Sequence, residues 1–341
     1  MKIALASDLH WCQYSSIVRK RGEKYSLRLE NEIASLNWFY DLAKQNDCYS
    51  TFILGDFFDK SSLNAEEISA LKEINWAPMT NNFIAGNHEM GLSCHDYSSS
   101  KLFNLLDTSD VVSEPTSTQI GDTEICILPY IIEENRKSID SYFPPLVEGK
   151  KRIILSHNDI QGIQMGQFIS KDGFSIEEIE DNCDLYINGH LHNGERISKK
   201  IINIGNLTGQ NFSEDATKYP HCAFILDTDT LHIDVYENPF ALNFYKLIVN
   251  SVEDLQNIQL KENSVCTIRC KESIKEPVRE WIESTYKIVE SRIVIQADND
   301  IVTENNIEEL TVDHLKQFQE YVLKTFDNTE VLLKELKEVC N

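Results

Sequence analysis

No glycine follows Gly209: all 13 lie at or before it, and residues 210–341 have none. Glycine is what tight turns and left-handed backbone use most, so the shift predicts a turn-rich α/β domain followed by a part of different architecture. Long hydrophobic runs are missing too. None approaches the roughly 18 apolar residues of a membrane span, and the opening Met1-Lys2-Ile3-Ala4-Leu5-Ala6-Ser7-Asp8 is too short an apolar stretch for a signal peptide. The expectation is a cytoplasmic protein with no membrane partner. Positive charge is scarce: 32 Lys and Arg against 55 Asp and Glu leave a net charge of -23. That balance argues against wrapping nucleic acid by bulk electrostatics, which needs a local excess of Lys and Arg. It leaves room for an enzyme whose metal ions, or whose partner subunit, supply positive charge at a phosphate. A cysteine framework is absent as well. The nine cysteines are scattered and odd in number, and Cys266 and Cys270 form the one close pair, with no second pair to complete a zinc site. Reduced thiols are expected.

What the chain does have is one theme repeated five times. Short apolar runs end in polar clusters: Ile3-Ala4-Leu5-Ala6 before Ser7-Asp8-Leu9-His10, Thr51-Phe52-Ile53-Leu54 before Gly55-Asp56-Phe57-Phe58-Asp59, and Phe83-Ile84-Ala85 before Gly86-Asn87-His88-Glu89. Ile153-Ile154-Leu155 precedes Ser156-His157-Asn158, and Leu185-Tyr186-Ile187 precedes Asn188-Gly189-His190-Leu191-His192. The runs read as buried strands. Residues 29–43 and 65–74 carry helical spacing, so strand and helix alternate, and in such sheets ligands gather beyond the carboxyl ends of the strands.

From about Val235 the pattern changes. Residues 244–249, 264–269 and 291–296 look like strands and 276–285 like a helix, which makes a small α+β unit. Residues 299–306 are polar and acidic enough for a linker. Beyond it, Leu310, Phe318, Tyr321 and Val322, then Val331, Leu332, Leu336 and Val339, recur at helical spacing. The expected domains are residues 1–235, a cap at 236–300, and C-terminal helices at 301–341.

Asp8, His10, Asp56, Asn87, His157, His190 and His192 place seven oxygen or nitrogen donors on the five strand tips. Carboxylate and amide oxygens mixed with imidazoles, without thiolate, suit manganese, iron or zinc better than calcium. One carboxylate can bridge two ions about 3.5–4 Å apart, and such a pair can clamp a phosphate and activate a water for in-line attack.

These clusters resemble the five signature motifs of the calcineurin-like metallophosphoesterases: Asp8-Leu9-His10, Gly55-Asp56-Phe57-Phe58-Asp59, Gly86-Asn87-His88-Glu89, the isolated His157, and Gly189-His190-Leu191-His192. The resemblance covers about residues 1–235 and implies a four-layer sandwich with helices outside two sheets. It also implies that Asp8, His10, Asp56 and His192 hold one ion and Asp56, Asn87, His157 and His190 the other, with Asp56 bridging. His88 would face the substrate, stabilising charge or protonating the leaving oxygen, and Asp59 would orient His88.

Within that superfamily the chain resembles the SbcD-type DNA repair nucleases and their bacteriophage recombination counterparts, in its length, its domain order, Leu128-Pro129-Tyr130-Ile131-Ile132-Glu133-Glu134-Asn135 and Ile204-Gly205-Asn206-Leu207-Thr208. Glu89 stands where aspartate is more usual, and Asp59 where some relatives carry histidine. The resemblance implies a Mn2+-dependent exo- or endonuclease acting on DNA, dimeric, docked through C-terminal helices to a coiled-coil ABC-type ATPase (SbcC-like). A phage-encoded chain would work in the host cytoplasm. Arg19-Lys20-Arg21 with Lys24 and Arg28, Lys150-Lys151-Arg152, and Arg196 with Lys199-Lys200 are the groups expected to reach DNA phosphates. The alternatives are a phosphatase or small-molecule phosphodiesterase with the same site, and a scaffold whose site is degenerate.

Overall fold

The computed structural model describes residues 1–296 other than 16, 148, 166 and 167. Lys2–Ala6 (β1) leads into helix Leu27–Gln45 (α1), Ser50–Leu54 (β2), helix Ala65–Ala70 (α2), Thr80–Ile84 (β3) and Ser109–Val112 (β4). Then come Thr116–Ile120 (β5), Thr123–Leu128 (β6), Lys151–Ser156 (β7) and a ribbon of Gln164–Met165 (β8) with Phe168–Ile169 (β9). Helix Ile176–Asn182 (α3) precedes Leu185–Asn188 (β10), Glu195–Arg196 (β11), Ile201–Asn203 (β12), Cys222–Asp227 (β13) and His232–Glu237 (β14). Asn243–Val249 (β15), Ser264–Lys271 (β16), helix Lys275–Ser284 (α4) and Ile288–Gln296 (β17) complete the described elements. The five expected strands and the helix over 29–43 are all present. The helix expected over 65–74 is α-helical through Ala70 and finishes as a tighter turn, Leu71–Glu73.

Two six-stranded sheets carry the fold, in the orders β14-β13-β1-β2-β3-β4 and β11-β12-β10-β7-β6-β5. β1 to β4 run parallel, as do β6, β7, β10 and β12. Side chains alternate across a strand, and that alternation produces the layers. Ile3 and Leu5 of β1, with Phe52, Leu54 and Ile84, meet Ile125, Ile127, Ile153, Leu155 and Ile187 of the other sheet in one buried cluster. Their neighbours Ala4, Ala6, Ile53 and Phe83 face the opposite way, against Leu29, Leu36, Phe39 and Tyr40 of α1. On the second sheet Cys126, Leu128, Ile154 and Tyr186 turn outward to Ile179 of α3 and to Cys183. The result is helix, sheet, sheet, helix: the α/β sandwich expected of the sequence.

α1 starts where Ser26 accepts a hydrogen bond from the Leu29 amide at 3.1 Å, which satisfies one of the free donors of a helix start. A third sheet, β15-β16-β17, closes with α4 over Tyr245, Val249, Cys266, Ile268, Cys270 and Val278. Cys266 and Cys270 sit in that core rather than at a metal. Residues 1–270 and 274–294 form one compact unit; a second comprises 271–273 and 295–341, of which 271–273, 295 and 296 are described. The expected linker at 299–306 and the C-terminal helices lie outside the described residues. Among the described residues, no helix is long and apolar enough to cross a membrane.

Candidate metal centre

The parallel strands β1, β2 and β3 of one sheet and β7 and β10 of the other end at the same edge of the sandwich, so their polar tips converge. The turns are strained. Asp8, His10, Asp56 and His190 all have left-handed backbone, with φ of 50°, 51°, 48° and 72°. Non-glycine residues seldom adopt that region, and four together at one site mark a constellation held in place by the surrounding structure. Space is equally tight at Gly86, where a Cβ would collide with the Asp56 carboxylate and amide.

Each of the four histidines gives one ring nitrogen to an acceptor and points the other inward. His10 Nδ1 donates to Asp59 Oδ1 at 3.1 Å, and His192 Nδ1 to Glu214 Oε1 at 2.7 Å. His157 Nδ1 donates to the Leu54 carbonyl at 2.6 Å, and His190 Nε2 to Asp159 Oδ1 at 3.1 Å. The inward nitrogens of His10 and His192 lie 3.1 Å apart, lone pair to lone pair. Asn87 Oδ1 lies 3.2 Å from His157 Nε2 and 3.1 Å from His190 Nδ1, again acceptor against acceptor. Such convergence needs positive charge between the groups, either a proton or a metal ion. Asp8 adds a buried Oδ1 with no hydrogen-bond partner, 3.9 Å from His10 Nε2 and 4.0 Å from His192 Nε2. This donor set fits divalent cations: hard oxygens and imidazoles, buried, aimed at common points.

Asp56 stands between the two groups. Its Oδ2 is 3.7 Å from His10 Nε2 and 3.1 Å from His157 Nε2, while Oδ1 accepts from the His88 amide at 2.9 Å. Asp8 with His10 and His192, and Asp56 with His157 and His190, each gather within the reach of one ion; His10, Asp56 and His88 form a third such group. His88 is 42% exposed, its ring 4.5 Å from that of His10, so it lies on the open side. The Asp59 carboxylate bonds to His10 and lies 3.8 Å from His88 Nδ1; it is the Asp59 backbone carbonyl, at 3.1 Å, that accepts from His88. All nine residues singled out in the sequence therefore meet at one edge.

The sequence profile of calcineurin-like phosphoesterases matches residues 1–194. The chain belongs to that family. Comparison with curated proteins gives no match. Among solved structures, a dimetal phosphatase from Danio rerio is 12% identical over 70% of this chain and 98% of its own, with a TM-score of 0.39. The calcineurin-like phosphoesterase YfkN from Bacillus subtilis is 12% identical over 84% and 97%, with a TM-score of 0.36. The purple acid phosphatase PPD1 from yellow lupin is 11% identical over 69% and 52%, with a TM-score of 0.42.

A calcineurin-like phosphoesterase is a metal-dependent hydrolase with a dinuclear divalent site, and the donors above are this chain's candidate ligands for it. Bound divalent ions supply neutralisation of phosphate charge and a ligated water of lowered pKa. The protein's part is to present neutral imidazole lone pairs and fixed carboxylates. Burial lowers the pKa of His10, favouring its neutral form, although Asp59 opposes this. Burial works against the charge of Asp56, yet His157 and His10 hold its pKa far below the usual carboxylate range. Burial also pulls His157 down, but Asp56 outweighs it and raises His157 to about 9. His157 would have to give up that proton to hold a metal ion.

Three acids do work that their sequence positions did not disclose. Asp159, two residues beyond His157, accepts from His190, and Glu214, remote from all five clusters, accepts from His192. Glu89 is fully buried and turned away from the open site. Its Oε2 accepts from the Gly86 amide at 2.8 Å and its Oε1 from the Phe58 amide at 3.1 Å, tying the β3 tip to the β2 tip.

Among the basic groups, Arg28 and Arg152 need correcting. Arg28 is buried and paired with Glu32 at 2.9 Å, one helical turn along α1, and its other nitrogens reach the carbonyls of Leu9 and Gly209. Arg152 is buried and paired with Glu124 at 2.8 Å. Arg21 binds Glu66, Lys24 binds Glu73, and Lys200 donates to the Glu180 and Cys183 carbonyls. A charge deep in the protein requires a partner, so Arg28 and Arg152 serve the fold and not a phosphate.

Proposed function

We propose that the chain hydrolyses phosphodiester bonds of DNA as the nuclease subunit of a repair or recombination complex, with two Mn2+ ions. Asp8, His10, Asp56 and His192 hold one ion; Asp56, Asn87, His157 and His190 hold the other. His88, exposed beside them, meets the substrate and stabilises or protonates the leaving oxygen. The observation that carries the reading is the Asp56 carboxylate, within 3.7 Å of His10 and 3.1 Å of His157, placed to be shared by both ions. The choice of DNA is supported by the resemblance of the motifs and flanking segments to SbcD-type and phage nucleases. A homodimer docked on a coiled-coil ABC-type ATPase belongs to the same proposal.

One observation favours a second reading, a phosphatase or small-molecule phosphodiesterase: several of the basic residues near the motifs are buried or already paired with acids. End-labelled duplex and hairpin DNA, with bis-p-nitrophenyl phosphate alongside, separates the two. Manganese-dependent DNA cleavage that vanishes in Asp56→Asn supports the nuclease. Turnover of the small diester alone, unchanged when the ATPase is added, supports the second reading.

A further inference from the structure

Glu214 lies outside the family-matched residues, in the segment that follows β12, and is fully buried. Four donors saturate its carboxylate. Oε1 accepts from His192 Nδ1 at 2.7 Å and from Asn211 Nδ2 at 3.0 Å; Oε2 accepts from Asn206 Nδ2 at 2.9 Å and from the Gln210 amide at 2.7 Å. Asn206 is itself locked, because its Oδ1 accepts from the buried His221 Nδ1 at 2.7 Å and so turns its amide nitrogen toward Glu214. A group that accepts four hydrogen bonds has no proton of its own to give. The proton on the Glu214–His192 bond therefore sits on His192 Nδ1, and the Nε2 lone pair is left facing His10 and Asp8.

We propose that Glu214 is a positioning residue that fixes the tautomer and rotation of His192, and through it the ion held with Asp8 and His10. This deepens the two-metal reading and rests on it for the identity of the ion. His192 leans on a carboxylate buried among four donors, whereas His190 leans on Asp159, which is 24% exposed.

Glu214→Gln is the informative change, being nearly isosteric. If the new amide oxygen keeps the Asn206 and Gln210 donors, its NH2 faces His192 Nδ1; the imidazole proton then moves to Nε2, where it blocks metal. Long-range proton–nitrogen spectra of the imidazoles, recorded on the full chain with chelator at alkaline pH and assigned with His192→Gln, read the tautomer without any metal. The expectation is an Nδ1-H ring in wild type and an Nε2-H ring in Glu214→Gln, with Asp159→Asn leaving His192 as in wild type. Calorimetric titration with Mn2+ alone should show one of the two ions weakened by about 10- to 100-fold in Glu214→Gln, the usual cost of losing a ligand's supporting acceptor. An Nε2-H ring for His192 in wild type would overturn the proposal, and needs no variant to fold. So would equal weakening of both ions in a variant that melts like wild type. Wild type that binds no Mn2+ yet shows the Nδ1-H ring would instead overturn the two-metal reading and leave the role of Glu214 toward His192 standing.

Discussion

His88 and Glu89 are adjacent in the chain and opposite in fate: the imidazole is 42% exposed at the open side of the site, and the carboxylate is fully buried beneath it. His88→Asn should keep its metal and lose about 10²- to 10⁴-fold in rate on bis-p-nitrophenyl phosphate, the range for a positioned proton donor. Metal analysis of the purified variant checks this, since lost metal would place His88 among the ligands. Burial raises Glu89 to about 7, helped by the charge of Asp56. A carboxyl whose folded pKa lies above its unfolded value binds its proton more tightly in the native state. Its contribution to stability is therefore full below about pH 4.5 and is lost as pH rises through about 7. That interval corresponds to about 3 kcal/mol. The stability difference between wild type and Glu89→Gln, measured in chelator by denaturant unfolding, should fall by that order across the window. A pH-independent difference would contradict the assignment.

Strand tips are where the element scale decides the chemistry, and Gly86 shows it. The glycine is required for space: a methyl there meets the Asp56 carboxylate, and β3 would have to move away from β2. Gly86→Ala should destabilise the chain by about 1–3 kcal/mol, as overpacking does, and weaken Mn2+ binding in the same preparation. Unchanged melting and metal binding would show the tip to be looser than described. The same tips were the legible part of the sequence. Each of β1, β2, β3, β7 and β10 leads through an apolar run to a tip with a donor, so strand, tip and ligand are all encoded locally. The supporting residues are not encoded that way. Asp159 and Glu214 are acids among 55, chosen by tertiary proximity to His190 and His192. Arg28 and Arg152 look like surface charge in one dimension, and only packing shows their partners Glu32 and Glu124. Asp59 is remote from both His10 and His88 in sequence, and which imidazole takes its carboxylate, His10, depends on the left-handed turns at Asp8 and His10.

For the whole molecule, the acid surplus and the edge where both sheets end are the governing facts. With a net charge of -23, the proposed contact with DNA would depend on bound cations and on a partner more than on the chain's own field. Removing residues 304–341 should leave hydrolysis of bis-p-nitrophenyl phosphate unchanged and abolish co-purification with a coiled-coil ABC-type ATPase. Retained complex formation would relocate the docking surface. In the proposed site two sets of donors share Asp56 to hold two ions. The most direct test is a calorimetric titration of metal-free protein with Mn2+, wild type beside Asp56→Asn. Two ions should bind per wild-type chain, and both should bind more weakly when Asp56 is changed; a single ion in wild type, or two ions bound undiminished by Asp56→Asn, would refute the shared carboxylate.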